Sequence, residues 1–305
     1  MYLEKRKENT KTKYYLNHSY REGSKVHKVS KYLGTDLSKE KLTERKQIAE
    51  KLILEEVYKF QLQTDLLAIE FSKRELDEIK KLQKNISINI EHFSEDKWKQ
   101  FSKLFTYNTN AIEGSTLNLK DVKSILEKDL WPDKSKEDIA EALGVDAAIT
   151  YIRRTKEPFS IDLIKKIHYT VFRNSKAFAG KFRKKGEDVV IMDSNGRIVH
   201  EGAPYSRVVS LLNILVKWYE KHKKKYPGIL LAAMVHNQFE TIHPFADGNG
   251  RVGRILLNFI LLQHKLPPVN IRLVRRKRYY KALQSYDYQK DIMPMIELIL
   301  KEIGS

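Results

Sequence analysis

Helical periodicity dominates this 305-residue chain. Apolar residues recur at intervals of three and four, the spacing of a helix that buries one face. Ser94 is suited to cap one helix, and Pro267 and Pro268 mark a firm break. The other predicted helices cover 36–63, 73–92, 136–155, 160–174, 205–222, 229–242, 250–264, 277–286 and 292–303.

Two regions follow a strand-like pattern instead. Residues 14–20 and 26–33 read as strands joined by a turn at 21–24. Further along, apolar residues at 189–192 and 197–200 flank an Asn-Gly pair, which is a strong hairpin signal. We therefore expect a mainly α fold with one β-hairpin and a small amino-terminal β segment.

The length allows one large domain or two modest ones. We divide the chain into a small basic β segment at 1–35, a helical region at 36–94 and a main domain at 95–305. No cysteine occurs, which excludes disulfides and thiolate zinc sites. Met1–Lys7 lacks the apolar core of a signal peptide, and the apolar stretches are too short to span a bilayer. We expect a cytoplasmic protein with no membrane partner.

The formal net charge of +18 has two interpretations. Residues 5–34 interleave basic and tyrosine residues, as platforms for single-stranded nucleic acid do. Most lysines, however, alternate with glutamates on predicted helix faces, as in 39–51. A solvated, lysine-rich surface is therefore favoured over a nucleic-acid partner.

A polar run from His243 to Arg254 carries most of the candidate chemistry. Pro244 disfavours helix at His243, so the histidine ends a helix and can accept a proton near neutral pH. Asp247 is a hard oxygen ligand suited to Mg²⁺. Gly248–Gly250 permits a tight turn whose backbone N–H groups approach an anion.

Arg251 and Arg254 then fall at the start of the next helix and share a face. The helix dipole disfavours cations at a helix start unless an anion is bound there. Arginine can form bidentate hydrogen bonds to phosphate oxygens. Each residue also has a structural explanation, as a core histidine, a helix cap, a turn glycine or a surface cation. Their coincidence favours a phosphate site, and the absence of a Walker loop excludes a P-loop enzyme.

The run matches every defining position of H-x-F-x-[DE]-G-N-G-R-x-x-R, and the chain resembles the Fic family over about residues 95–300. Gly180–Arg183 and Pro267–Pro268 agree with further family landmarks. The resemblance implies a Fic-type helical bundle. It also implies a protein adenylyltransferase, which transfers AMP from ATP to a Ser, Thr or Tyr hydroxyl of a protein substrate and releases pyrophosphate.

The resemblance further assigns roles. His243 would deprotonate the hydroxyl, and Asp247 would hold Mg²⁺ between the α- and β-phosphates. Asn249 and the backbone of Gly248 and Gly250 would bind the α-phosphate, Arg251 the β-phosphate and Arg254 the γ-phosphate. The hairpin would be a flap on which target segments align by strand addition, through Val189, Val190, Ile191 and Met192.

Thr109–Gly114 matches a second family pattern, [ST]-x-x-x-E-[GN]. Alone, it could be an ordinary helix end with Gly114 as the C-cap. Beside the first motif, the resemblance implies an inhibitory helix near 100–114, in which Glu113, with Thr109, engages Arg254 at the γ-phosphate position. Alternatives remain open: removal of AMP by Glu113, or a nucleic-acid-binding regulator with a nucleotide-sensing core. A homodimer is also open.

Overall fold

The computed structural model describes residues 1–8, 10–22, 25–65, 71–86, 88, 90–187, 190–192 and 198–303. The chain divides into two compact units, Met1–Ala68 and Ile69–Ser305. Most described residues are helical, which confirms the predicted fold class. Within the described ranges, none of the helices combines the length and the apolar character needed to cross a membrane.

The first unit is a three-stranded antiparallel sheet followed by a helix. Its elements are β1 (Tyr2–Glu8), β2 (Lys11–Glu22), β3 (Lys25–Thr35) and α1 (Lys39–Asp65). The strands lie in chain order, with β2 central. The sequence predicted β2, β3 and α1 but missed β1, because this edge strand is charged on both faces and lacks apolar alternation. The predicted turn residues Gly23 and Ser24 lie outside the described residues.

One face of the sheet packs on α1. Leu16 of β2 pairs with Leu3 and Lys31, and residues opposite one another in a ladder share a face. Leu16 has no exposed surface and joins a small core with residues of β3 and α1. That core consists of Leu16, Val29, Leu33, Ala49, Ile53 and Val57.

The second unit is a helical bundle with one hairpin. In chain order its elements are α2 (Lys73–Lys84), α3 (Glu95–Ile112), α4 (Leu119–Lys128), α5 (Lys136–Arg154), α6 (Ile161–Phe172), β4 (Val190–Met192), β5 (Ile198–Glu201), α7 (Val208–His222), α8 (Gly228–Ile242), α9 (Asn249–Gln263), α10 (Arg276–Gln289) and α11 (Met293–Glu302). All 15 residues of α8 are buried. Its first half is apolar on every side, as a central helix requires, and its second half carries the buried polar residues His236, Asn237, Gln238, Glu240 and Thr241. Helix α9 packs along α8, so the loop between them is anchored at both ends.

Two helices differ from the prediction. Helix α2 ends at Lys84, not His92, because the following Ile86 to Ile90 alternates apolar and polar residues and cannot extend an apolar helix face. Helix α4, which the sequence did not predict, is ten residues long and starts at a capping box of Asn118 and Asp121. The predicted cap Ser94 is confirmed, since its hydroxyl accepts a hydrogen bond from the Lys97 backbone.

The predicted hairpin is also present. Strand β4 pairs antiparallel with β5, with Ile191 opposite His200. Val189 and the predicted turn at 193–196 lie outside the described residues.

Candidate active site

His243 ends helix α8 in an unusual backbone conformation. It is the C-cap, at φ 51° and ψ 61°, in the left-handed region that few residues other than glycine adopt. Pro244 enforces this end, because the residue before a proline is driven out of helical geometry. The side chain is 7% exposed, and its Nδ1 lies 3.3 Å from the Glu240 carbonyl oxygen. A carbonyl oxygen only accepts, so this contact puts the ring proton on Nδ1 and the lone pair on Nε2.

A buried arginine holds the loop from behind. Arg183 donates from Nε to the carbonyl oxygen of His243 (2.9 Å) and from its backbone N–H to that of Pro244 (3.0 Å). The same guanidinium donates to the carbonyl oxygens of Glu187 and Ala203, which flank the hairpin. Arg183 therefore fixes the histidine's backbone and the base of the hairpin together.

The interior of the loop is closed by Phe245 and Asn249. Phe245 has no exposed surface, and the Asn249 side chain both donates to its carbonyl oxygen (2.8 Å) and accepts from its N–H (2.9 Å). The Phe245 ring stacks on His168 of α6, with ring centroids 3.8 Å apart. Asn249, predicted to contact phosphate, thus also shapes the turn.

His168 is a neutral, fully buried histidine. Its Nδ1 accepts from the Gly180 N–H at 2.8 Å, so Nε2 carries the proton and donates to the Asp247 carbonyl oxygen at 3.2 Å. Burial lowers the pKa of His168 from 6.5 to about 4, with the Asp247 carbonyl opposing that shift. The side chain therefore positions the main chain of Asp247 without carrying charge.

The turn requires glycine at Gly248, and Gly250 lies close to α3. Gly248 lies at φ +80°, and a Cβ there would lie 2.2 Å from the Phe172 ring. It is the N-cap of α9 and brings no side-chain cap, so the first N–H groups of the helix face the loop. A Cβ at Gly250 would lie 2.2 Å from Oε1 of Glu113, which shows how closely this backbone approaches α3.

Arg254 is buried in a network with the end of α3. Its guanidinium donates to Oε1 of Glu113 (2.6 Å), to the Thr109 hydroxyl (2.8 Å) and to the Thr109 carbonyl oxygen (3.0 Å). It also lies 3.4 Å from the Tyr279 hydroxyl. Burial opposes its charge, yet the neighbouring Glu113 carboxylate holds the pKa of Arg254 above its ordinary value.

Arg251 has a similar partner on a different helix. Its guanidinium pairs with the buried carboxylate of Glu141 on α5 and lies over the Phe172 ring, 4.6 Å from the centroid. Both arginines at the start of α9 are therefore matched by a carboxylate, although the helix dipole disfavours cations there.

Asp247 points to the more open side of the loop. Its side chain is 47% exposed, and Oδ2 lies 3.2 Å from Nζ of Lys176. The ammonium of Lys176 also contacts Glu137 and Glu141, so three carboxylates surround one lysine. Partial burial opposes ionisation of Asp247, but Arg251 and Lys176 hold the pKa of its carboxyl below the ordinary value.

The donor set at Asp247 fits Mg²⁺ bound chiefly by a nucleotide. Mg²⁺ is commonly held by one or two carboxylates together with substrate phosphates and water. In the described part of the chain, three or more His, Asp or Glu side chains nowhere converge as a ready-made metal cage. Asp247 offers a half-exposed carboxylate beside the anion-facing turn.

The fold thus collects the predicted residues around one loop. His243, Asp247, Gly248, Asn249, Gly250, Arg251 and Arg254 lie on or beside it, and Glu113 and Thr109 reach it from α3. Of the hairpin residues, Val190, Ile191 and Met192 form β4, while Val189 is outside the described residues. Sequence reasoning missed His168, Lys176 and Glu141 as residues that shape the site and named Arg183 only as part of a family landmark, since each reaches the site from a distant segment.

Comparison with known proteins agrees with this geometry. Residues 158–261, which include the whole run from His243 to Arg254, match the Fic/DOC family. This part of the chain is similar to a Fic domain. Two curated relatives extend the match: Protein adenylyltransferase fic-1 of Caenorhabditis elegans is 32% identical over 206 residues, and Protein adenylyltransferase Fic of Nematostella vectensis is 34% identical over 202. These matches cover 65% and 64% of the chain.

The Fic fold extends beyond the matched segment. The solved structure of Fic-1 residues 134–508 from C. elegans is 25% identical, with a TM-score of 0.61 over 88% of this chain and 75% of that one. A Fic-domain signalling protein from Bacteroides thetaiotaomicron shares the fold at a TM-score of 0.63 and 23% identity, over 75% of this chain and 93% of that one. The chain aligns with only 39% and 45% of the lengths of the two curated relatives.

Proposed function

We propose that this protein is an autoinhibited protein adenylyltransferase. One observation carries the proposal: two buried arginines at the start of α9 flank the His243 loop, and each is paired with a carboxylate that phosphate oxygens can replace. The adenylyltransferase names of the curated relatives support the same activity.

The reaction uses few groups. Nε2 of His243 takes the proton of a Ser, Thr or Tyr hydroxyl on the target as its oxygen attacks the α-phosphorus of ATP. The bond from that phosphorus to the β-phosphate oxygen breaks, and pyrophosphate leaves. Arg251, Arg254 and the N–H groups at Gly248–Gly250 orient the phosphates and balance the charge that develops on them. Positioning supplies most of the acceleration.

Asp247 is the residue that would hold Mg²⁺. The bound ion would supply charge neutralisation between neighbouring phosphates. Asp247 is kept ionised for this task by Arg251 and Lys176, and its main chain is held by His168.

Glu113 and Thr109 form the brake in this proposal. While Glu113 pairs with Arg254, the arginine cannot receive a γ-phosphate, and a carboxylate beside a triphosphate repels it. ATP then binds in a pose unsuited to in-line attack. Release requires only that the end of α3 withdraw one side chain.

The hairpin β4–β5 is the proposed docking edge for the target. A two-stranded hairpin leaves backbone groups for a third strand, so an extended target segment can add to it. Arg183 links the foot of the hairpin to the backbone of His243. This link would hold the hydroxyl of a docked target at a fixed position relative to the His243 imidazole.

A second candidate activity is removal of AMP from a modified target. It is favoured by the Glu113 side chain, which is 31% exposed and lies against Gly250 at the turn. There the carboxylate would take a proton from water as the water oxygen attacks the phosphorus. The bond from phosphorus to the target oxygen would break, that oxygen would receive the proton, and AMP would be released.

The test uses ATP labelled at the α-phosphate, Mg²⁺ and a cell extract. Glu113→Gly should raise protein labelling at least about tenfold, and His243→Ala in that background should lower it by about 100-fold or more. Labelling that is unchanged by both substitutions would overturn the proposal. Release of AMP from pre-labelled target by wild type, lost in Glu113→Gln, would support the second activity.

A further inference from the structure

The amino-terminal sheet has an open face that the proposed catalysis does not use. The face that packs on α1 carries Leu16 and its ladder partners, so residues one position away along each strand point to the opposite side. We call this opposite side the open face. Its cationic and aromatic members include Arg6, Lys13, Arg21, Lys28, Tyr15 and Tyr32.

The open face is exposed and carries a net positive charge, with the cations Arg6, Lys11, Lys13, Arg21 and Lys28 against the carboxylates Glu4 and Glu8. Tyr32 is 55% exposed, and the side chains of Arg6 and Lys28 are 50% and 46% exposed. Residues 1–35 contain nine lysines and arginines against three acidic residues, whereas residues 36–68 contain six against seven. The positive charge of this unit is therefore concentrated in the sheet. Complementarity calls for an anionic partner.

The cations on this face are held in place. Arg6 pairs with Glu4 at 2.8 Å and lies over the Tyr15 ring, 4.5 Å from its centroid. Lys28 lies over the Tyr2 ring at 5.5 Å. Because these cations cover ring faces on which bases would stack, the surface suits phosphates better than unpaired bases.

We propose that the open face binds the phosphate backbone of duplex DNA. Outer strands of a three-stranded sheet lie about 10 Å apart. The major groove of B-DNA, about 12 Å wide, admits a two-stranded ribbon, so a three-stranded sheet with its side chains reaches across the groove to both edges, and β-sheets are established readers of DNA grooves. An exposed row of arginine and lysine side chains across this width can contact phosphates along both groove edges.

The first experiment measures DNA affinity with the full chain. A fluorescent 24-base-pair duplex is titrated by anisotropy at several salt concentrations, with Arg6, Lys13, Arg21 and Lys28 changed together to Gln. The matched control changes Lys221, Lys223, Lys224 and Lys225, near the end of α7, to Gln and removes the same charge. The open-face variant should bind the duplex at least about tenfold more weakly. The slope of the logarithm of its binding constant against the logarithm of salt concentration should be smaller in magnitude by about three, while the affinity of the control stays within about twofold of wild type.

A gain-of-binding variant separates this role from structural damage. Glu4→Gln releases Arg6 and Lys28 from a carboxylate, while the glutamine oxygen still accepts the hydrogen bond from Asn17 (2.7 Å). Affinity for the duplex should rise about threefold, without dependence on ATP.

Three outcomes would overturn the proposal. They are equal losses in the open-face and control variants, tighter binding of single-stranded DNA than of the duplex, and no gain from Glu4→Gln. None of these measurements involves AMP transfer, so DNA binding and the proposed catalysis succeed or fail separately.

Discussion

Arg254 of α9 and Glu113 at the end of α3 form a 2.6 Å ion pair between residues that are 141 positions apart in sequence. The Arg254 side chain is 2% exposed and the Glu113 side chain 31% exposed. Water can therefore solvate the carboxylate if the pair breaks, but it cannot reach the guanidinium, which needs a counter-ion. A buried charge that loses its counter-ion is strongly destabilising.

Glu113→Gly should therefore lower stability when no nucleotide is present. After allowance for the exposed part of Glu113, we expect a loss of about 1–3 kcal/mol, or a fall in Tm of about 3–8 °C. Mg²⁺ and ATP should raise the Tm of the variant more than that of wild type, because phosphate replaces the missing carboxylate. Thermal unfolding with and without nucleotide measures both effects, with Glu113→Gln as an intermediate control. An equal nucleotide response in all three proteins would contradict phosphate binding at Arg254.

Lys176 should control the metal requirement. Its ammonium lies 3.2 Å from the carboxylate of Asp247, so it neutralises the proposed metal ligand. Lys176→Met should lower the Mn²⁺ concentration for half-saturation by about three- to tenfold in the presence of a nucleotide, since a competing positive charge is gone. Calorimetric titration reads this directly, and Lys166→Met on α6 is the matched control. Weaker metal binding in Lys176→Met would show instead that the lysine itself supports the nucleotide.

Acid should destabilise the loop through His168. Its pKa is about 4 in the folded protein and about 6.5 when exposed, so between these values the unfolded chain binds the extra proton. The contribution of His168 to the free energy of unfolding is fully present above pH 6.5, and about 3 kcal/mol of it is lost as pH drops toward 4. His168→Gln should be less stable than wild type at pH 7.5, and the difference should shrink at lower pH. Urea unfolding across this range tests it, and a constant difference would rule out His168 as the titrating group.

Gly248 and Gly114 offer a matched pair of substitutions. Both have positive φ, but a Cβ at Gly248 meets Phe172 at 2.2 Å, whereas a Cβ at Gly114 has nothing within 4 Å. Gly114→Ala should cost only backbone strain, about 1–2 kcal/mol. Gly248→Ala should cost more in the wild-type chain, and it should cost less when introduced into a Phe172→Ala variant, where the clashing ring is absent. Denaturant unfolding of Gly114→Ala, Gly248→Ala, Phe172→Ala and the Gly248→Ala/Phe172→Ala double variant gives the comparison. Equal costs for the two glycines would show that the loop shifts to accommodate a methyl group.

The central part of the site was predictable because its signals are local. Pro244 ends α8, Gly248–Gly250 turns the chain, and the apolar runs on either side predict buried helices. The pairing of Glu113 with Arg254 came only from resemblance to a family motif, because nothing in either segment alone identifies its partner.

Other features depend on packing that no local pattern encodes. His168 lies among apolar residues of α6 and looks like an ordinary core histidine until the Asp247 carbonyl is brought beside it. Lys176 and Glu141 are single charged residues in a charged sequence. Strand β1 was missed for a related reason: its side chains do not alternate, and only pairing with β2 makes it a strand.

Four of the bonds made by Arg183 have a mechanical consequence. Two of them are donated to the carbonyl oxygens of Glu187 and Ala203 at the foot of the hairpin. The other two are donated to the carbonyl oxygens of His243 and Pro244. A displacement of the hairpin is therefore transmitted to the backbone of His243 through the planar guanidinium of Arg183. In the proposed mechanism, binding of a substrate at the hairpin and positioning of His243 would therefore be mechanically coupled.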